Sequence, residues 1–232
     1  MDKRILALGG LITLLALSGC VGLLTGESLV FESSPAAVSN SSAAESGFTL
    51  QQYNETHLNE TVTVFGMERE ISLSFHQAIY ATQLPSNLTR EDVNRSTLTN
   101  DPQPNQSLQP TVVTIVSVPD AQVFGQSVNP LVQLPNDELV KRFGGGSEGS
   151  VSNLEQESER SVQMLGSEPT LTVFNGTTQS ENGKMTSRIS VVKTAHEGDV
   201  VVLISVQPQD NADDDALDAF IADMEHPTDA PN

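Results

Sequence analysis

The chain has one cysteine, no tryptophan and two tyrosines among its 232 residues. A single cysteine excludes an intrachain disulfide, and with only four scattered histidines it excludes the usual structural zinc sites, which need four nitrogen or sulfur ligands. Cations are scarce as well. Four lysines and seven arginines stand against 30 acidic residues, for a formal net charge of -19 and a pI near 4.3. No basic face can be assembled from so few, so nucleic acid is excluded as a partner held through its phosphates. What is present suffices to fold: Leu, Ile, Val and Phe make up about 27% of the chain, above the roughly 20% below which a highly charged sequence stays disordered. A surface rich in carboxylate and poor in ammonium suits concentrated salt, where the screening length falls to about 3 Å at 1 M, and the composition therefore points to a halophile.

The amino terminus reads as an address. Lys3 and Arg4 precede the uncharged run Ile5 to Leu17, which is followed by Ser18-Gly19-Cys20. A positive start, an apolar run and a small-residue cleavage zone are the three parts of a signal peptide. The stretch Leu17-Ser18-Gly19-Cys20 resembles the lipobox of prokaryotic lipoproteins. That resemblance implies a diacylglyceryl thioether on Cys20 and a mature chain beginning there, with a formal charge of -20 once Asp2, Lys3 and Arg4 are gone. The alternative is an uncleaved anchor over Ile5 to Leu24, weakened by Gly9, Gly10, Ser18 and Gly19. Either route tethers the remainder of the chain to the outer side of a cell membrane. The expected organisation is a signal peptide at 1–19, a lipid-anchored spacer at 20–28, one domain at 29–226 with a polar insertion at 81–110, and a tail at 227–232.

Asn-X-Ser/Thr occurs seven times, at Asn40, Asn54, Asn59, Asn87, Asn94, Asn105 and Asn175. Chance would place between two and three, roughly, in a chain of this composition. The excess marks an exported glycoprotein, since such acceptors belong on surface loops. Asn175-Gly176 reads equally as a hairpin turn.

The elements follow from periodicity and punctuation. Ser34-Pro35 predicts a helix start and Gly47 its stop. Phe48 to Tyr53 reads as extended, and Thr61 to Phe65 pairs with Glu70 to Tyr80 as a hairpin through Gly66, with Ile71, Leu73 and Phe75 on one face. Residues 81–110 are dominated by Asn, Thr, Ser, Gln and Pro, with a helical turn expected at Thr89 to Val93. Thr111 to Val118 is a strand, and Asn136 to Phe143 a short helix ended by Gly144. Gly144 to Ser150 reads as a linker, followed by strands at Ser161 to Leu165 and Pro169 to Phe174. A hairpin of Met185 to Thr194 and Asp199 to Val206 turns at Glu197-Gly198, and the unbroken run Val200 to Ile204 suits a strand covered on both faces. Leu217, Phe220, Ile221 and Met224, spaced i, i+3, i+4 and i+7 behind Asp213 to Asp215, make an amphipathic helix with acids at its positive end. The fold class is α+β, a mostly antiparallel sheet with helices packed on it.

Phe31-Glu32-Ser33-Ser34-Pro35-Ala36 with Gly47-Phe48, Phe124 to Pro130, and Val206-Gln207-Pro208 together resemble an uncharacterised family of haloarchaeal surface lipoproteins. The order of elements also resembles that of PsbP-like α/β/α sandwiches. That second resemblance implies a non-catalytic assembly or binding module, though a fold does not fix a function.

Candidate chemistry is thin. Gly145-Gly146-Ser147-Glu148-Gly149 matches G-x-S-x-G, but a nucleophile elbow needs a strand before the serine and a helix after it, and here a helix precedes. His57, His76, His196 and His226 show no telling spacing to an acid. An EF-hand loop started at Asp210 has Ala212 at its third position, Asp215 where glycine is required, and Ile221 where glutamate should close the site, so Asp210 to Asp218 read instead as solvated acids at a helix start. No catalytic, cofactor or metal residue emerges. The expected function is that of a non-catalytic, lipid-anchored, glycosylated surface protein, with its membrane contact through the Cys20 lipid and an envelope protein or small ligand as partner. A secreted hydrolase acting through Ser147 and a solute-receptor subunit are the alternatives.

Overall fold

The structure, a computed structural model, describes residues 29–64, 67–82, 109–123, 126–127, 129–144, 150–180 and 183–231. It is an α+β fold built on one mixed, mainly antiparallel sheet of eight strands. The strands are β1 (Leu29–Glu32), β3 (Phe48–Val64), β4 (Met67–Thr82), β5 (Val112–Pro119), β8 (Ser150–Ser161), β9 (Thr170–Ser180), β10 (Gly183–His196) and β11 (Asp199–Pro208). Short strands β2 (Ala37–Val38) and β12 (Met224–Glu225) pair with each other, as do β6 (Gln122–Val123) and β7 (Gln126–Ser127). Across the large sheet the order is β3, β4, β5, β11, β10, β9, β8, with β1 parallel to the first half of β4, Leu29 opposite Ile71. Among the described residues three α-helices complete the fold: α1 (Asn40–Glu45), α2 (Asn136–Phe143) and α3 (Asp214–Ala222).

The helices cover both faces. Val201 and Leu203 of β11 point into a core formed with Ala43 of α1 and Leu217, Phe220 and Ile221 of α3. Val200, Val202 and Ile204 point the other way, to Leu139 and Val140 of α2. Burial on both faces is why that run shows no polar alternation. Phe220 lies at the centre of the first core, its ring 4.8 Å from that of Phe48 and 5.0 Å from that of Tyr80.

Caps explain where the helices start. Asp213 accepts a hydrogen bond from Ala216 N at the head of α3, and Ser39 accepts one from Ser42 N at the head of α1. The helix expected from Ser34-Pro35 therefore begins later, at Asn40. The residues in between are engaged elsewhere: the Ser34 N–H goes to Asp199, the Pro35 carbonyl takes the Thr228 N–H, and Ala37–Val38 pairs with β12. Gly47, at φ +81°, does end the turn that follows α1.

Two further expectations are corrected and one strand is added. Ser161 to Leu165 is not a strand: Met164 and Ser167 form a tight bridge around Leu165 and Gly166, both at positive φ. The preceding strand is β8, whose Ser150–Ser161 sequence is too polar and too little alternating to read as one, because it lies at the edge of the sheet. Asn175-Gly176 is no hairpin turn. Both residues lie inside β9, paired with β8 and β10, and a Cβ on Gly176 would stand 2.9 Å from Ile189 Cδ1 and 3.1 Å from Leu154 Cδ2. The glycine is there for close packing, not for a turn. Most of the polar insertion, including the expected helical turn, lies outside the described residues.

Candidate functional site

Three of the four histidines, apart in sequence, converge on one face of the sheet beyond the end of the α3 core. Asp199 opens β11, directly opposite His196 of β10 on one side and Pro119 at the end of β5 on the other, and β5 carries Ser117. His226 follows β12 and covers them. Its Nε2 lies 3.0 Å from Asp199 Oδ2 and 3.3 Å from Ser117 Oγ, and its Nδ1 lies 3.1 Å from His196 Nδ1. The His226 side chain is wholly buried and that of Asp199 is 7% exposed.

The amino-terminal segment closes the cluster from the other side. Ser34 N–H donates to Asp199 Oδ2 at 2.7 Å, and Ser33 Oγ reaches the carbonyls of Ser117 at 2.9 Å and Ser74 at 3.2 Å. The Ser33 carbonyl can only accept, so His76 Nε2 carries the proton it shares with it at 2.9 Å, which leaves His76 Nδ1 to accept from the Tyr53 hydroxyl at 2.7 Å. Burial, with the Glu55 carboxylate adding to it, raises the Tyr53 hydroxyl above its ordinary 10.0. Tyr80 stands on the same face, its hydroxyl donating to the Val38 carbonyl and accepting from the Val38 N–H; burial raises its pKa too, against a smaller lowering by the Val38 bond.

Serine, histidine and aspartate in contact invite comparison with a hydrolytic relay, and the atoms rule that out for this trio. A relay needs the acid on one imidazole nitrogen and the hydroxyl on the other. Here both meet Nε2, whose proton goes to the Asp199 carboxylate, so this nitrogen has no lone pair with which to take a proton from Ser117. His226 Nδ1 is turned to His196 instead. Ser117 is also only 1% exposed. What this arrangement does is clasp together two segments distant in sequence: Ser33 to Pro35 on one side, and His226 to Thr228 on the other, through the Pro35 to Thr228 bond and the Asp199 carboxylate between them.

The other sequence candidates fall into place around it. Asn40 is the first residue of α1, Asn54 and Asn59 lie on β3, and Asn175 lies within β9 with its Oδ1 buried and unpaired. Cys20, Asn87, Asn94, Asn105 and Ser147 lie outside the described residues; the elements flanking Ser147 are α2 before and β8 after, the reverse of a nucleophile elbow. His57 is exposed beside Glu55. The acids at the start of α3 are not simply solvated, because Asp214 pairs with Arg188 and Asp218 takes a two-pronged bond from Arg160 at 2.6 Å. Among the described residues no group of three or more His, Cys, Asp or Glu is arranged to hold a metal ion, and no helix is long and apolar enough to cross a membrane. Among the described residues, one open groove of about 450 Å³ lies beside Phe48, Leu50 and Tyr53, and another of about 500 Å³ lies beside Phe31, Pro119 and Gly198 next to the clasp.

The clasp was not read from sequence, although one signal was available. Residues flanking a two-residue turn face each other, so His196 and Asp199 around Glu197-Gly198 had to share a face. A domain of unknown function, DUF6517, matches residues 35–225. The chain belongs to the DUF6517 family. No curated protein matches it. The DUF6517 match takes in His76, Ser117, His196 and Asp199 and stops one residue short of His226.

Proposed function

We propose that this is a non-catalytic, lipid-anchored, glycosylated surface protein of a halophilic archaeon, held on the outer side of the cell membrane through Cys20 and binding an envelope component or a small ligand there. The observation that carries this reading is the way the tethered end of the chain is fixed. Ser33 and Ser34, a short distance after Cys20, are bound by buried partners on β4, β5 and β11. Even fully extended, the nine-residue step from Cys20 to Leu29 would reach no more than about 32 Å. A lipid on Cys20 would therefore hold the domain close to the membrane, and a pull on the tether would load β1 first and the buried polar cluster directly behind it. The acidic composition and the acceptor asparagines support the same reading.

The test is Cys20→Ser in a haloarchaeal host. The variant should leave the membrane fraction or fail to mature, and the mature wild type should outweigh its polypeptide by lipid and glycan. Unchanged membrane retention would refute the lipid anchor, and a bare polypeptide mass would refute both modifications.

A further inference from the structure

The two outer strands of the sheet differ at their edges. β8 pairs with β9 in a register broken twice, between Ser152 and Glu155 and again between Gln156 and Ser158. It carries Asn153 at φ +53° and exposes Glu155, Glu157 and Glu159. Bulges and charges of this kind discourage a second strand from adding on. β3 has no such interruption after the one bulge near Gln51: it keeps regular register with β4 from Gln52 to Val64, and among the described residues nothing pairs with its outer edge. A straight row of unpaired backbone groups that long is a template for another chain.

This same strand carries Asn-Glu-Thr twice, as Asn54-Glu55-Thr56 and Asn59-Glu60-Thr61. Five residues apart, the two asparagines lie on opposite faces of the strand. Asn59, Thr56 and Thr61 are exposed and Asn54 is half-buried. Ser72 Oγ donates to Asn59 Oδ1 at 2.7 Å, which leaves Nδ2 on the opposite side of the amide.

We propose that Asn54 and Asn59 are glycan attachment sites whose function is to flank the free edge of β3, one on each face, and keep it from pairing with β3 of a second copy of this chain. The donor is a polyprenyl-phosphate-linked oligosaccharide. Asn Nδ2 attacks its anomeric carbon, the carbon–oxygen bond to phosphate breaks, the N-glycosidic bond forms, Nδ2 loses one proton and the lipid phosphate leaves. The proposal rests on the surface-glycoprotein reading and assigns two of its sites a role.

The experiment uses the protein purified from a haloarchaeal host at high NaCl. Cleavage after glutamate separates the sites, since Ser46 to Glu55 contains Asn54 and Thr56 to Glu60 contains Asn59. Both peptides should be heavier than their sequences by a glycan. Wild type should be monomeric by light scattering, whereas Asn54→Gln/Asn59→Gln should reach about twice that mass. Amide exchange across Gln52 to Val64 should slow in the dimer. Thr56→Ala/Thr61→Ala, which removes the acceptor sequences but keeps the Asn59 to Ser72 bond, should behave alike. Bare peptides at both sites, an oligomeric mass unchanged by either double variant, or a dimer without added protection of β3 each overturn the proposal. Glycan at Asn40 with both β3 sites bare would sink it and leave the surface-glycoprotein reading standing; a chain bare at every acceptor would sink both.

Discussion

His226 Nε2 lies 3.0 Å from Asp199 Oδ2, and this buried pair joins the carboxy-terminal end of the domain to the first residue of β11. The same carboxylate oxygen takes the Ser34 N–H, so one atom gathers a segment near each end of the described residues. Removing it would leave two donors without their acceptor at once. Asp199→Ala should cost about 3–5 kcal/mol, since each of the two bonds to this carboxylate contributes about 1.5–3 kcal/mol. For a domain of this size that is a fall of roughly 6–20 °C in Tm. Asp199→Asn keeps one acceptor oxygen and should lose less. Calorimetry of the three proteins checks the order, and equal Tm values would remove the clasp as a source of stability.

Tyr80 ties β2 to the sheet through both polar groups of Val38. Its pKa is raised in the folded state, so the folded protein retains a proton that the unfolded chain gives up near 10.0. Stability is then whole below pH 10 and falls as pH rises through the higher folded value. Tyr53 acts in the same direction. Tyr80→Phe should lose about 1–2 kcal/mol at neutral pH through its two hydrogen bonds. It should also melt with a shallower alkaline decline than wild type, leaving the Tyr53 share. A decline as steep as that of wild type would contradict the assignment.

Gly176 lies within a paired strand, where an added methyl meets the side chains of Ile189 and Leu154. Gly176→Ala should destabilise by about 1 kcal/mol, the low end for overpacking, because Ile189 Cδ1 and Leu154 Cδ2 are side-chain ends that can give way. Urea unfolding of the variant measures the loss, and an unchanged midpoint would contradict close packing at this residue.

Arg188 reaches Glu157 on β8 at 2.7 Å and Asp214 on α3 at 3.1 Å, and its side chain is 17% exposed. Against this local attraction stands a formal net charge of -19, whose self-repulsion salt screens. Repulsion is summed over the whole surface while the pairs are few. Thermal unfolding should therefore rise steeply with NaCl, and Arg188→Ala should be lower than wild type by a margin that narrows as salt increases. A melting temperature indifferent to NaCl would contradict the halophilic reading.

Elements whose pattern is local were legible. Asn136 to Phe143 carries its own apolar side, Asp213 supplies its own cap, and the turn at Glu197-Gly198, with both residues at positive φ, is specified by those two residues. Edge strand β8 was not legible, because one free edge and exposed side chains leave it little need of apolar alternation. The start of α1 was misplaced because Ser34-Pro35 has the local chemistry of a helix head, and only Asp199 and Thr228, far along the chain, take its backbone groups for another purpose.

By itself the sequence determined the α+β class, the acidic composition and the positions of the Asn-X-Ser/Thr triplets, and it is the whole ground for the membrane address proposed above, because each depends on composition or on neighbours within a few residues. The tertiary structure alone decided that Ser33, His76, Ser117, His196, Asp199 and His226 meet, that Asn175 lies inside a sheet while Asn54 and Asn59 border a free edge, and that a serine beside a histidine and an aspartate forms a clasp rather than a relay. Those outcomes depend on which nitrogen meets which oxygen across contacts between residues far apart in the chain, as Ser34 and Asp199 or Pro35 and Thr228 are, and no local pattern encodes that.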